Sequence, residues 1–253
     1  MSADPLTRPD TARRRPAWHV ATVAELAPET PTAARLVLDV PTWPGNDAGA
    51  HLDVRLTAPD GYQATRSYSI ASSGETSRVV LAVDEVPDGE VSPFLVRELR
   101  PGDQLELHGP LGAFFVWQPS RDDRPVQLIA GGSGVVPLYA MAASHAAAAD
   151  PAPFRLLYSV RTPRHVFFAD ELAALVGPAF DLDLAYTREA PDGRQGDIGR
   201  ITKDTLAART IPAARRPQVF VCGPTGFVEA VASWLRALGH AAADIRTERF
   251  GGT

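Results

Sequence analysis

Gln127-Leu128-Ile129-Ala130-Gly131-Gly132-Ser133-Gly134-Val135-Val136-Pro137 decides how the second half of the chain is read. An apolar run enters a glycine-rich turn and leaves as a helix start, the opening of a parallel α/β unit. Glycines let a backbone approach a pyrophosphate, and free N–H groups at a helix start favour negative charge. The segment is not G-x-G-x-x-G, because Pro137 stands at the third glycine, and with no lysine it is not a P-loop. It also misses G-x-S-x-G, because Val135 replaces the last glycine. Taken alone, the turn fits a ligand-free strand–helix junction as well as a nucleotide site.

Downstream of this turn, strands and helices alternate. The pattern predicts strands at Val126–Ala130, Phe154–Val160, Leu182–Thr187 and Gln218–Cys222. Between them it predicts helices ending near Ala148, over Ala169–Val176 and over Lys203–Ala208. A last helix carries Phe227, Val228, Val231, Trp234, Leu235 and Leu238 on one face and stops at Gly239. Such alternation implies a parallel sheet covered on both sides.

Upstream the grammar is different. Trp18–Leu26, Ala34–Val40, Leu52–Ala58, Gln63–Ile70, Val79–Val83 and Gln104–His108 read as short strands separated by Gly, Pro and Asp turns. One helix is expected over Val91–Leu99, with Ser92 as N-cap and Pro93 at its first position. Many short strands with regular turns suggest a small closed antiparallel barrel. The polar stretch 120–125 separates the two grammars, so the expected division is a tail at 1–17, a β-barrel domain at 18–119 and an α/β domain at 120–253.

Composition narrows the function classes. The 253 residues are 45% hydrophobic with a formal charge of −5, which gives no general reason to bind nucleic acid. No apolar run is long enough to span a membrane, and the polar start with Arg13-Arg14-Arg15 has no signal core after it, so a disordered tail and a cytoplasmic protein are expected. The single cysteine, Cys222, excludes a disulfide or a four-cysteine iron–sulfur cluster within this chain. The six histidines show no metal-ligand spacing, and most are expected to be surface or locally hydrogen-bonded groups.

Arg66-Ser67-Tyr68-Ser69-Ile70-Ala71-Ser72 sets a cation, a ring and hydroxyls in one strand. Alternation puts Arg66, Tyr68 and Ile70 on one face and Ser67 and Ser69 on the other. A ligand with phosphates and a conjugated ring suits this, although an ordinary amphipathic strand reads the same way. Ser159-Val160-Arg161 and Thr187-Arg188 end two predicted parallel strands, where ligands of open sheets bind. Their guanidinium forks could clamp a 2′-phosphate or form surface ion pairs. Cys222-Gly223-Pro224-Thr225-Gly226 ends a third, and its small uncharged thiol suits a nicotinamide neighbour or a plain core position. Phe250, in the closing Thr247–Thr253, would cover a flavin face or plug an apolar gap.

In order, R-x-Y-S, Gly109-Pro110-Leu111-Gly112, G-G-x-G-x-x-P, C-G-P and a final E-x-F are similar to the ferredoxin–NADP reductase superfamily, from Trp18 to Phe250. The chain most resembles its short bacterial members without a fused iron–sulfur domain. The resemblance implies FAD, with FMN as the alternative, while Arg161 and Arg188 alone are the grounds for expecting NADPH ahead of NADH. It implies that Arg66, backbone N–H groups of Gly89 to Ser92 (Val91 included) and the Ser92 hydroxyl meet the flavin pyrophosphate. Ser67 would sit within the same flavin-binding run. Tyr68 would lie against the ring, Ser69 near its N5, and Phe250 where nicotinamide enters. Gly132, Ser133, Gly134 and Pro137 would hold the dinucleotide, with Ser159, Arg161 and Arg188 near its adenosine end. Cys222 and Glu248 would flank the hydride path, with Gly223 and Pro224 beside it. Val136 and Phe250 depart from the usual pattern, where a smaller residue and a terminal Tyr are common.

The implied activity is hydride transfer to flavin, then single-electron delivery to a separate acceptor such as a ferredoxin or oxygenase component. A free-standing flavin or ferric-siderophore reductase, and a non-catalytic flavin-carrying subunit, remain as rivals.

Overall fold

The computed structural model describes residues 15–119, 124–193 and 198–251. Most of the expected disordered tail and the centre of the expected hinge lie outside the described residues.

The first half is an antiparallel sheet of β1 (Ala17–Thr30), β2 (Ala33–Asp39), β3 (His51–Thr57), β4 (Gln63–Ser69), β5 (Arg78–Asp84) and β6 (Gln104–Leu111). Its order, β4-β3-β6-β1-β2-β5, leaves β4 and β5 at the two ends. An Ile70–Leu81 bridge and a hydrogen bond from the Ala71 N–H to the Val80 carbonyl bring those ends together. The sheet therefore curls around one interior, filled by Leu36, Leu38, Leu52, Val54, Ile70, Leu81 and Leu107. Period-two alternation puts Leu52 and Val54 inside and His51, Asp53 and Arg55 outside.

The expected helix over Val91–Leu99 is a short turn with π geometry over Phe94–Glu98, in which the Leu99 N–H reaches the Phe94 carbonyl. Ser92 does not cap it. Its hydroxyl instead accepts the Val86 N–H at 3.0 Å, tying the preceding loop to the turn.

The second half is a parallel sheet ordered β11-β10-β7-β8-β9. It comprises β7 (Val126–Gly131), β8 (Phe154–Val160), β9 (Phe180–Tyr186), β10 (Gln218–Pro224) and β11 (Ile245–Phe250). The helices are α1 (Val135–Ala148), α2 (Ala169–Leu175), α3 (Lys203–Arg209) and α4 (Thr225–Ala237). Leu128 and Ala130 of β7 pack with α1 and α2, while Ile129 packs with α3 and α4, so both faces are covered. The buried stripe of α4 is Val228, Val231 and Leu235, with Phe227, Trp234 and Leu238 packed beside it. None of the helices among the described residues is long and apolar enough to cross a membrane.

The two sheets share a seam. Glu29 of β1, 3% exposed, bonds Arg35 of β2 at 2.6 Å and accepts the Phe168 N–H at 2.5 Å from the other half. Arg35 also pairs with Glu171 of α2 and lies 4.8 Å over the Phe168 ring, which stacks on Tyr139 of α1. Phe168 takes φ +53°, a left-handed conformation costly for an aromatic residue, held here by packing and the Glu29 bond.

Candidate functional site

Ser69, at the end of β4, donates its hydroxyl to Glu248 Oε1 of β11 at 3.0 Å, joining the two sheets. In the β10–β11 register Cys222 lies opposite Glu248 and Pro224 opposite Phe250. Cys222 also lies opposite Ala130 in β7, just before the glycine turn. Residues far apart in sequence thus meet where parallel strands end, the usual ligand position of an open α/β sheet.

Burial pushes the Glu248 carboxyl up to about 7, with the Ser69 hydroxyl pulling the other way. Burial also pushes the Cys222 thiol well up, and the Glu248 charge adds to this. The cysteine is therefore a neutral, 1% exposed thiol, not a nucleophilic thiolate. Glu248 is poised to hold or release a proton near neutral pH.

Beside this group runs a cleft of about 570 Å³, lined by Gly131, Gly132, Ser133, Ser159, Arg161, Arg200, Pro224, Phe227, Trp234 and Phe250 among others. The glycines make its floor. A Cβ at Gly134 would stand 2.3 Å from the Cys222 carbonyl oxygen, and one at Gly131 2.9 Å from the Phe227 ring. Gly132 takes φ +57° with open space where a side chain would be. This cradle fits the pyrophosphate of a dinucleotide. Pro137 and Val136 are buried in α1 behind it.

Arg188 is not among the cleft's lining residues. Arg200, which the sequence reading missed, is. The Arg188 N–H nevertheless bonds the Arg161 carbonyl at 3.0 Å. Burial first, then the charges of Arg164, Arg161 and Arg188, depress His165 against the opposing charge of Asp84, so arginines outnumber the acid around this rim. Arg200 is brought there by Gly199, whose N–H bonds the Tyr186 carbonyl at the end of β9.

On the barrel, Tyr68 is half-buried against the core, and burial pushes its phenol up to about 12. Arg66, on the same face, pairs with Glu90 at 2.6 Å, and Tyr62 donates to the other Glu90 oxygen at 2.8 Å. An anion-binding arginine beside the Gly89–Ser92 loop fits a flavin diphosphate, with Glu90 standing in its place. Val91 is buried, so that loop offers ligand only its backbone there. Ser67 stands apart: its hydroxyl donates to Asp53 at 2.5 Å on the opposite face. Phe250 is 39% exposed at the cleft mouth, available as a cover.

Comparison with known proteins agrees with this geometry. The family described as oxidoreductase FAD-binding domain matches residues 29–116, and that described as oxidoreductase NAD-binding domain matches residues 128–233. The toluate 1,2-dioxygenase electron transfer component of Pseudomonas putida is 30% identical over 78% of this chain and 57% of its own length. One component of the 1,2-phenylacetyl-CoA epoxidase of Escherichia coli K12 is 30% identical over 92% of this chain and 68% of its own. The chain spans about half the length of the first curated relatives it matches. Among solved structures, the FAD/NAD-binding domain of a nitric oxide dioxygenase from Vibrio cholerae O1 biovar El Tor superposes with a TM-score of 0.76 at 25% identity. That superposition covers 92% of this chain and 99% of that one. The chain belongs to the ferredoxin reductase-type oxidoreductase superfamily, with an FAD-binding half followed by an NAD-binding half.

Proposed function

We propose that this chain takes hydride from NADPH onto a bound FAD and passes single electrons to a separate acceptor, a ferredoxin or an oxygenase component. The observation that carries this reading is the Ser69–Glu248 bond, made beside the buried Cys222 and next to the strand ends that line a glycine-rich cleft. Bound flavin supplies the exchange between two-electron and one-electron chemistry.

The chain's own residues bind, align and insulate. Arg66 and the backbone from Gly89 to Ser92 hold the diphosphate. Tyr68 offers one aromatic wall and Phe250 the other. Gly132 to Gly134 let the nucleotide backbone approach the sheet, and Cys222 puts no charge beside the carbon that gives up hydride. Glu248 accepts from Ser69 at Oε1 and holds a proton at Oε2. Arg161 and Arg200 on the rim, with Arg188 close by, favour the extra phosphate of NADPH. The working division is a flavin domain at 18–119 and a nucleotide domain at 120–253, and the lone buried cysteine suits a cytoplasmic setting.

An anaerobic titration tests this. FAD-loaded protein should bleach on adding NADPH, and more slowly with NADH. Flavin that neither nucleotide bleaches would overturn the reading. Fast turnover with free flavin or ferric chelates, and none with a protein acceptor, would move the assignment to a small-molecule reductase.

A further inference from the structure

A proton held by Glu248 needs a way out, and the Glu248 side chain is only 22% exposed. His51 stands next to it. In the β3–β4 register His51 lies opposite Ser69, and its Nδ1 is 3.9 Å from Glu248 Oε2. That nitrogen is closed off from solvent and has no hydrogen-bond partner, alone in this among the buried side-chain polar atoms of the described residues. An unpaired buried polar atom is destabilising, so its retention calls for a reason.

The surrounding backbone is shaped around it. From His51 to Asp53, β3 advances two residues while β6 goes from Leu111 to His108, a bulge of the kind that re-aims side chains beside active sites. The turn beyond β6 closes over the ring through Gly112, at φ +92°, where a Cβ would stand 3.1 Å from Nδ1. The His51 side chain is 31% exposed although Nδ1 is sealed, so its exposure lies on the other atoms. One nitrogen faces Glu248 while the rest of the ring reaches water.

The groups facing His51 are Asp53 on its own strand, Ser69 on β4, Glu248 on β11 with Cys222 behind it, and the Gly112 backbone. Burial lowers the imidazole's affinity for a proton and the Asp53 charge opposes this. Burial likewise raises the Glu248 carboxyl, to about 7. A carboxyl oxygen and a ring nitrogen thus face each other, each able to donate or accept, about 1 Å beyond hydrogen-bond reach.

We propose that His51 carries protons between Glu248 and solvent, exchanging at Nδ1 with Oε2 and at its exposed side with water. This rests on reading the site as a hydride-accepting flavin centre. Hydride brings two electrons and a proton from the nicotinamide. A one-electron acceptor removes the two electrons in turn, and the proton left behind leaves through Ser69, Glu248 and His51 to water. His51 acts through Glu248, so its role is that of a relay and positioning residue.

Two measurements test this separately from the functional reading. In flavin-free protein, the ¹⁵N spectrum of His51 should show Nδ1 unprotonated and Nε2 carrying the hydrogen above the imidazole's midpoint. A ring with hydrogen on Nδ1 would overturn the proposal whatever the enzyme does. In FAD-loaded protein, stopped-flow separates hydride uptake from reoxidation by excess ferricyanide. H51G should slow reoxidation about tenfold or more, with a changed pH profile and a larger solvent deuterium effect. Added imidazole should restore the rate in proportion to its concentration. H51Q, which keeps volume and polarity, should stay slow. Wild-type reoxidation in both variants, or no recovery with imidazole, would overturn the relay. Failure of NADPH to bleach the flavin would instead sink the functional reading and leave the ¹⁵N result standing.

Discussion

Glu248→Gln should make the protein more stable, increasingly so as pH rises from 4.5 through 7. The carboxyl moves from its ordinary 4.5 to about 7 because burial penalises its charge. A displacement of that size is worth about 3 kcal/mol. The folded state binds a proton more tightly than the unfolded chain between those two values, so stability falls as pH rises from 4.5 through 7. Below 4.5 the group is protonated in both states and costs nothing; above 7 the full penalty applies. Glutamine stays neutral throughout and its amide oxygen can still accept from Ser69. At about 2–4 °C per kcal/mol for a chain of this size, the variant should gain roughly 6–12 °C over wild type between pH 4.5 and 8. Thermal unfolding of flavin-free protein across that range reads this directly. A melting difference that stays constant across the range would refute the argument that Glu248 is held protonated by burial.

Gly134→Ala sets a Cβ 2.3 Å from the Cys222 carbonyl oxygen, a backbone atom that cannot step aside. Denaturant unfolding should show a loss of about 1–3 kcal/mol or more, and an unchanged midpoint would disprove the close approach. Glu90→Gln frees Arg66 from an exposed pair worth about 0.2–1 kcal/mol. Calorimetric titration with FAD should then show binding up to about fivefold tighter at low salt, the gain vanishing as salt rises. Arg161→Ala with Arg200→Ala should cost NADPH about 1.5–3 kcal/mol per lost charge-assisted contact and leave NADH nearly unaffected. Equal losses for the two nucleotides would remove those arginines from the phosphate.

Much of the fold could be read from the chain because local chemistry and tertiary structure agree in it. The run from Gln127 to Pro137 is apolar, then glycine-rich, then helical, and it forms β7, a tight turn and α1. The last helix and its Gly239 stop follow from a period visible in sequence. Strand β11 was not visible. Thr247-Glu248-Arg249 is polar, and it is extended because β10 offers it a parallel edge. Ser92 has the chemistry of a cap, but Val86 offers its hydroxyl a nearer donor. His51 carries no spacing signal at all, since what surrounds it comes from Gly112 and from a carboxylate nearly the whole chain away. Arg200 lies beyond a stretch with no periodicity, returned to the rim by one backbone hydrogen bond.

The seam of Glu29, Arg35 and Phe168 bears on how fast substrate can enter. Its central carboxylate is almost wholly out of solvent, where ions screen charge poorly, so salt that loosens the exposed Arg66–Glu90 pair leaves the seam closed. The two walls of the cleft then keep their spacing. On the proposed reading, admission of a nucleotide would then need only the swing of one exposed ring, Phe250, and exposed side chains turn in picoseconds to nanoseconds where hinges take microseconds to milliseconds. Entry of that kind would set no ceiling on the proposed turnover, leaving its rate to later steps.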